Sequence, residues 1–143
     1  MKVTQSHGFS LIEIMVVLVI MGLMSAIVIP QISNVLSDGY ITRVKTDLSN
    51  IESALKMYKL KNFRFPNSDQ GLEALVEKTE IDPVPRHWHH PFLDKLPTDP
   101  WGNPYLYLSP SDDGKPYDLY SLGADGVRGG DGEDADISVW DEQ

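Results

Sequence analysis

The sequence predicts an α+β chain in which a long N-terminal helix packs against a small C-terminal antiparallel sheet. Three observations carry this. Residues 9–29 form an apolar run whose only charge is Glu13. Tyr40, Val44, Leu48, Ile51, Leu55 and Tyr58 then recur at spacings of three and four, the period of one helix face. Near the C-terminus, two runs dense in aromatic and aliphatic residues flank a cluster of turn residues. Helix first and strands later point to a segregated arrangement rather than alternating βαβ units.

The apolar run at 9–29 is about the length a helix needs to cross the hydrocarbon core of a bilayer. It reads as a transmembrane helix, since a secretory signal has a shorter apolar region ending in a small-residue cleavage site. The leader, residues 1–8, carries Lys2 and no acid, so the positive-inside rule leaves it in the cytoplasm and everything after Pro30 across the membrane. Glu13 is the anomaly, because a carboxylate within an apolar helix is costly and normally has a partner. It either snorkels to the nearby interface or meets a cation. A cut between Gly8 and Phe9 would create that cation as a new α-amine, one helical turn before Glu13 or on a neighbouring copy.

Pro30 lacks a backbone donor and should loosen or kink the helix locally. The periodicity resumes beyond it and continues to about residue 62, so that from Phe9 onward the helix would extend roughly 80 Å at 1.5 Å per residue. Its apolar face needs a cover. The other faces carry Arg43, Lys45, Lys56, Lys59 and Lys61, with Asp47 and Glu52 interspersed. Such a surface is either solvated or set to meet the acidic tail of another copy.

In the cap, Asn67-x-x-Gln70 has capping-box character and predicts a short helix over 71–79, with Leu72, Leu75 and Val76 available for burial. The proline-rich stretch 83–104 is loop. Residues 105–108 and 117–122 read as a hairpin around turn residues 110–114, and 137–140 as a third strand.

Several classes of function are excluded. A net charge of −9 argues against nucleic-acid binding, which needs a basic surface. Without cysteine there is no disulfide, thiolate metal site or cysteine nucleophile. The chain has no Gly-x-Ser-x-Gly elbow, phosphate loop or His-Glu-x-x-His, so it is not expected to be an enzyme. His87, His89 and His90 lie in a loop with no evident carboxylate to orient them, and read as surface rather than as a zinc site.

Gly8-Phe9-Ser10-Leu11-Ile12-Glu13, the apolar run and Pro30 resemble the class III signal of type IV pilins and type II secretion pseudopilins. The resemblance implies cleavage between Gly8 and Phe9 by prepilin peptidase and N-methylation of Phe9. It also implies roles in assembly for Phe9, for Glu13 at the fifth mature position and for Pro30 at the twenty-second. Asp99-Pro-Trp-Gly-Asn-Pro-Tyr105, Ser121-Leu-Gly-Ala-Asp-Gly126, Gly129-Gly130 and Ala135-Asp-Ile137 narrow it to the major pseudopilins of type II secretion, over nearly the whole chain.

In that family a calcium ion takes the place of the disulfide that closes type IV pilins. The resemblance assigns Asp125, Asp134 and Asp136 as carboxylate ligands and Leu122 and Val127 as carbonyl donors, with Asp131 and Glu133 less secure because the loop varies in length. The residues agree in kind, since crowded carboxylates repel one another unless a divalent cation gathers them, whereas acidity alone also suits a solvated loop. The loop is not an EF-hand, and its single Gly-Gly-x-Gly-x-Asp match at 129–134 cannot stack into a β-roll.

The implied organisation is a leader at 1–8, a filament-core membrane helix at 9–29 and a periplasmic domain at 30–143. The implied protein is a non-enzymatic inner-membrane subunit, polymerising helically into a periplasmic pseudopilus that supports export of folded proteins. Its expected partners are further copies of itself, minor pseudopilins, prepilin peptidase and the inner-membrane assembly platform. A type IV pilin of a surface fibre shares the N-terminal logic but lacks support from cysteines. A monomeric, membrane-tethered calcium-binding module is the other alternative.

Overall fold

Helix α1 spans Leu11–Asn62. The computed structural model describes residues 9–141, and the side chains of 26–35 lie outside that description. The first N–H groups of α1 are met locally: those of Glu13 and Ile14 donate to the Ser10 carbonyl at 3.0 and 3.3 Å. Glu13 thus occupies the first turn, where the helix dipole favours a negative charge. The helical backbone is unbroken at Pro30, so the expected resumption holds, while its side chain belongs to the undescribed set.

The chain divides between Leu36 and Ser37 into two units. In the first, the apolar side chains from Phe9 to Met24 are solvent-exposed, Phe9 by 79% and Leu11 by 78%. Within the second, Val44, Leu48, Ile51, Leu55 and Tyr58 are at most 1% exposed. Each buried side chain of this size contributes about 1.5–3 kcal/mol, which makes this face the main cohesive surface of the domain. Tyr40, the first residue of the predicted face, stands at its rim with its ring edge-on to Trp101, centroids 6.0 Å apart.

The sheet that covers this face is short. β1 is Leu106–Leu108, β2 Asp118–Ser121 and β3 Ile137–Ser138, antiparallel in the order β1-β2-β3. Leu106 faces Tyr120 in the register, and Tyr120 in turn faces Ser138. β3 ends earlier than the predicted 137–140 because the Asp141 carboxylate accepts from the Ser138 N–H at 2.7 Å and turns the chain. Trp140 then folds back, its indole N–H donating to the Tyr117 carbonyl at 3.0 Å. Two phenols fasten sheet to helix. Tyr105 donates to Asp47 at 3.0 Å and Tyr117 to Glu52 at 3.2 Å. Burial first, and then these carboxylates, push both phenol pKa values up.

The helix predicted over 71–79 is a single 3-10 turn, Leu72–Leu75. The capping box does form: the Asn67 N–H donates to Gln70 Oε1 at 3.1 Å, and the Gln70 N–H to Asn67 Oδ1 at 2.8 Å. The turn does not propagate because the proline-rich loop claims its last carbonyl. Phe92 and Leu93 both donate to the Leu75 oxygen, at 2.7 and 3.1 Å.

Candidate functional site: the C-terminal loop and the start of the helix

The glycine-rich acidic loop hangs from a turn at 99–104. Asp99, 2% exposed, accepts through Oδ1 from the N–H groups of Trp101 at 3.1 Å and Asn103 at 2.7 Å. Its Oδ2 accepts from the Ser121 hydroxyl at 2.9 Å, and that hydroxyl accepts from the Gly123 N–H at 3.2 Å. Asn103 closes the arrangement by donating from Nδ2 to the Gly123 carbonyl at 3.2 Å. A buried carboxylate with three donors thereby fixes where the loop leaves β2.

The loop then folds on itself. Ala124 N–H donates to the Glu133 carbonyl at 2.8 Å. Gly123 has φ +70°, and a Cβ there would lie 2.6 Å from the Glu133 oxygen, so only glycine allows the two strands of the loop this close. Gly130 is similarly pressed against the Asp134 backbone. The Asp125 carboxylate accepts from the Val127 N–H at 2.9 Å, and Asp136 from the Gly129 N–H at 3.1 Å. Arg128 reaches back to the Tyr120 hydroxyl at 3.2 Å, and that bond, with the Asp136 charge as a weaker contribution, raises its pKa.

All the ligand candidates therefore sit in one loop, and their donors are oxygen throughout, as a hard divalent cation requires. In kind they fit calcium. Asp125, Asp134 and Asp136 are exposed, as is Val127, while Leu122 is half-buried at the loop's root. Among the described residues, no three His, Asp or Glu side chains converge as a metal-holding group.

At the other predicted site, Phe9 lies two residues before α1 and Glu13 in its first turn, both exposed, whereas Gly8 and the Pro30 side chain lie outside the described residues. Among the described residues no helix is long and apolar enough to cross a membrane. The span expected at 9–29 runs into the positions without described side chains.

The histidine loop is built into the cap. The His87 N–H donates to Asn62 Oδ1 at 3.1 Å, Trp88 Nε1 to the Ala74 carbonyl at 3.0 Å, and Lys61 Nζ lies 3.3 Å from His90 Nε2. Much of the basic helix surface is also occupied within the chain. Lys56 pairs with Glu52 at 2.9 Å and Arg43 with Asp47 at 3.7 Å, while Lys59 and Lys61 lie over the rings of Phe65 and Phe92.

Sequence reasoning missed the Asp99–Ser121–Gly123 network. Its signal was the aspartate opening a Pro-Trp-Gly-Asn-Pro turn, which predicts side-chain-to-backbone bonds but not the partner on β2.

Residues 31–140 match the family described as type II secretion system (T2SS), protein G, and residues 4–29 match the prokaryotic N-terminal methylation motif. The type II secretion system core protein G of Pseudomonas aeruginosa is 53% identical over 99% of this chain and 99% of its own. Its counterpart in Vibrio cholerae is 45% identical over 99% of this chain and 97% of its own. The crystal structure of the major pseudopilin from the type 2 secretion system of enterohaemorrhagic Escherichia coli superposes with a TM-score of 0.63 at 38% identity, covering 72% of this chain and 88% of that one. A methylation motif on an exposed apolar helix start, followed by a helix-backed three-stranded cap, thus has close relatives over its whole length, and the chain belongs to the type II secretion system protein G family.

Proposed function

We propose that the chain is a structural subunit that polymerises into a periplasmic pseudopilus of a type II secretion system and supports export of folded proteins. The observation that carries this reading is the exposed apolar start of α1 in a chain whose C-terminal domain is closed over its own core. Side chains such as Leu11, Ile12 and Leu23 must be covered by lipid or by other copies, since contiguous exposed apolar surface on this scale marks a membrane or protein contact. Residues 9–29 serve as the single membrane span before assembly and as filament core after it, with residues 30–143 in the periplasm.

Cleavage between Gly8 and Phe9 by prepilin peptidase releases the amine that is N-methylated, and Glu13 pairs with that amine on an incoming copy. Calcium binds the C-terminal loop through Asp125, Asp134 and Asp136 and the carbonyls of Leu122 and Val127. The all-oxygen donor set and the glycine-enforced closeness of the loop support this. Minor pseudopilins and the inner-membrane assembly platform are the remaining partners, and the subunit acts without catalysis. Electron microscopy of cells overproducing the chain together with its secretion machinery tests the reading. Filaments containing the chain are expected, and their absence overturns it.

A further inference from the structure

Where α1 ends, the chain does something costly. Phe63, whose N–H closes the helix on the Lys59 carbonyl at 2.7 Å, adopts φ +64°, a left-handed conformation usually left to glycine. The side chain this presents is an aromatic ring 84% exposed to solvent. Beside it lies a cleft of about 550 Å³ lined by Phe63, Arg64, Arg86 and His87. A second cleft of about 480 Å³ shares Arg64 and Arg86 and adds Lys78, with Asp82 as the acid on its wall. Unlike the cations along α1, the exposed side chains of Arg64, Lys78 and Arg86 make no hydrogen bond or ion pair among the described residues. In a chain of net charge −9, an unpaired basic cluster around an exposed ring is a surface built for an acidic partner.

The same domain supplies the complement at its other end. Asp131 and Glu133 stand outside the three carboxylates, Asp125, Asp134 and Asp136, proposed to hold calcium, and their side chains also make no hydrogen bond or ion pair among the described residues. The Glu133 carbonyl is bonded to Ala124, and Gly123 to Asn103. The turn holding Asn103 meets α1 through Thr98 on Arg43 at 3.3 Å and Tyr105 on Asp47. The cleft begins at Asn62. From Arg43 to Asn62 the helix rises roughly 28 Å. Basic cleft and acidic loop therefore lie at opposite ends of one rigid length of helix, which prevents them from meeting within a chain. Two complementary patches on different faces make a heterologous contact, the kind that repeats into an open helical array instead of closing a dimer.

We propose that the Arg64–Arg86 cleft of one copy receives the Asp131–Glu133 edge of the acidic loop of the next, with Phe63 covering the contact from water. This rests on the assembly reading above and specifies which surfaces of the periplasmic domain meet. The absence of cysteine makes the test clean. The full-length chain carrying both Arg86→Cys and Asp131→Cys is oxidised in membranes of cells making the secretion machinery. A covalent ladder of multimers is expected, and either single variant should give none. Arg86→Glu should cut filament yield several-fold, and Asp131→Arg in the same chain should restore it. Wild-type filaments with no ladder from the double variant, or dimers from a single variant, overturn the contact and leave the assembly reading standing. If the wild-type chain forms no filaments, the assembly reading falls and the contact falls with it.

Discussion

The Ser121 hydroxyl stands between Asp99 and Gly123, donating to the buried carboxylate and accepting from the glycine N–H. Through it the turn before β1 fixes the loop after β2. Asp99→Ala strands three donors in the interior, each worth about 1–3 kcal/mol when left unmet, so a loss of about 3 kcal/mol or more is expected. Chemical denaturation of the full chain in detergent measures it. A midpoint unchanged from wild type would show that the network is incidental.

Gln70 offers a sharper test, because its two ends do different work. Oε1 completes the cap with Asn67, while Nε2 donates to the carbonyls of Ile81 at 2.7 Å and Pro83 at 3.0 Å. Gln70→Glu keeps the first contact and sets an anionic oxygen against two carbonyls at a position only 4% exposed. At neutral pH it should destabilise at least as much as Gln70→Ala, by about 2 kcal/mol. Below the carboxylate range a protonated Glu can donate again, so melting curves should show partial recovery on acidification for Glu and none for Ala.

Gly123→Ala should prevent the loop from closing on Glu133, and so abolish any calcium effect. Differential scanning calorimetry of the full wild-type chain should give a higher midpoint with excess calcium than with chelator, by mass action on the native state. Asp125→Ala or Asp136→Ala should erase the difference, whereas His89→Ala should keep it. Equal wild-type midpoints in the two conditions would overturn the calcium assignment.

Alkaline stability should fall through Tyr107. Burial raises its phenol pKa to about 12 from the ordinary value of 10.0, and its hydroxyl donates to the Pro66 carbonyl at 2.8 Å. Above about pH 10 the unfolded chain loses this proton while the folded chain keeps it, so the contribution is complete below pH 10 and lost by about pH 12. Tyr105 and Tyr117 act in the same direction. Tyr107→Phe should cost about 1 kcal/mol at pH 8 and flatten the decline between pH 10 and 12, as thermal melts across that range would show. An equally steep decline in the variant would assign the effect elsewhere.

Glu13→Val removes a costly charge from the apolar run and should leave membrane insertion intact while abolishing filaments. Fractionation and microscopy of the same cells separate the two outcomes. Normal filament yield would mean that the carboxylate only sits at the interface.

The parts of the fold readable in the sequence were those with a period. The buried face from Val44 to Tyr58 and the hairpin of β1 and β2 follow from spacing alone, because burial on one side imposes it. The capping box was readable as well, but the length of the helix it opens was not. Leu75 loses its carbonyl to Phe92 and Leu93, a contact between segments that local propensity does not register. The site shows the same limit. Glycines and carboxylates announce a tight acidic loop, yet its anchoring on Asp99 depends on β2 coming alongside. The cleft at Arg64 was invisible, since no rule of composition makes a phenylalanine take a glycine's backbone angle.

The brevity of the sheet bears on what a crowded population of these subunits can avoid. With outer strands of three and two residues, each copy offers its neighbours almost no free run of backbone donors and acceptors. Long, flat edges invite irreversible strand-to-strand aggregation, and these are too short to template it. Contacts between copies are left to side chains and helices, which can be made and undone. A fibre held in that way can be taken apart again into intact subunits.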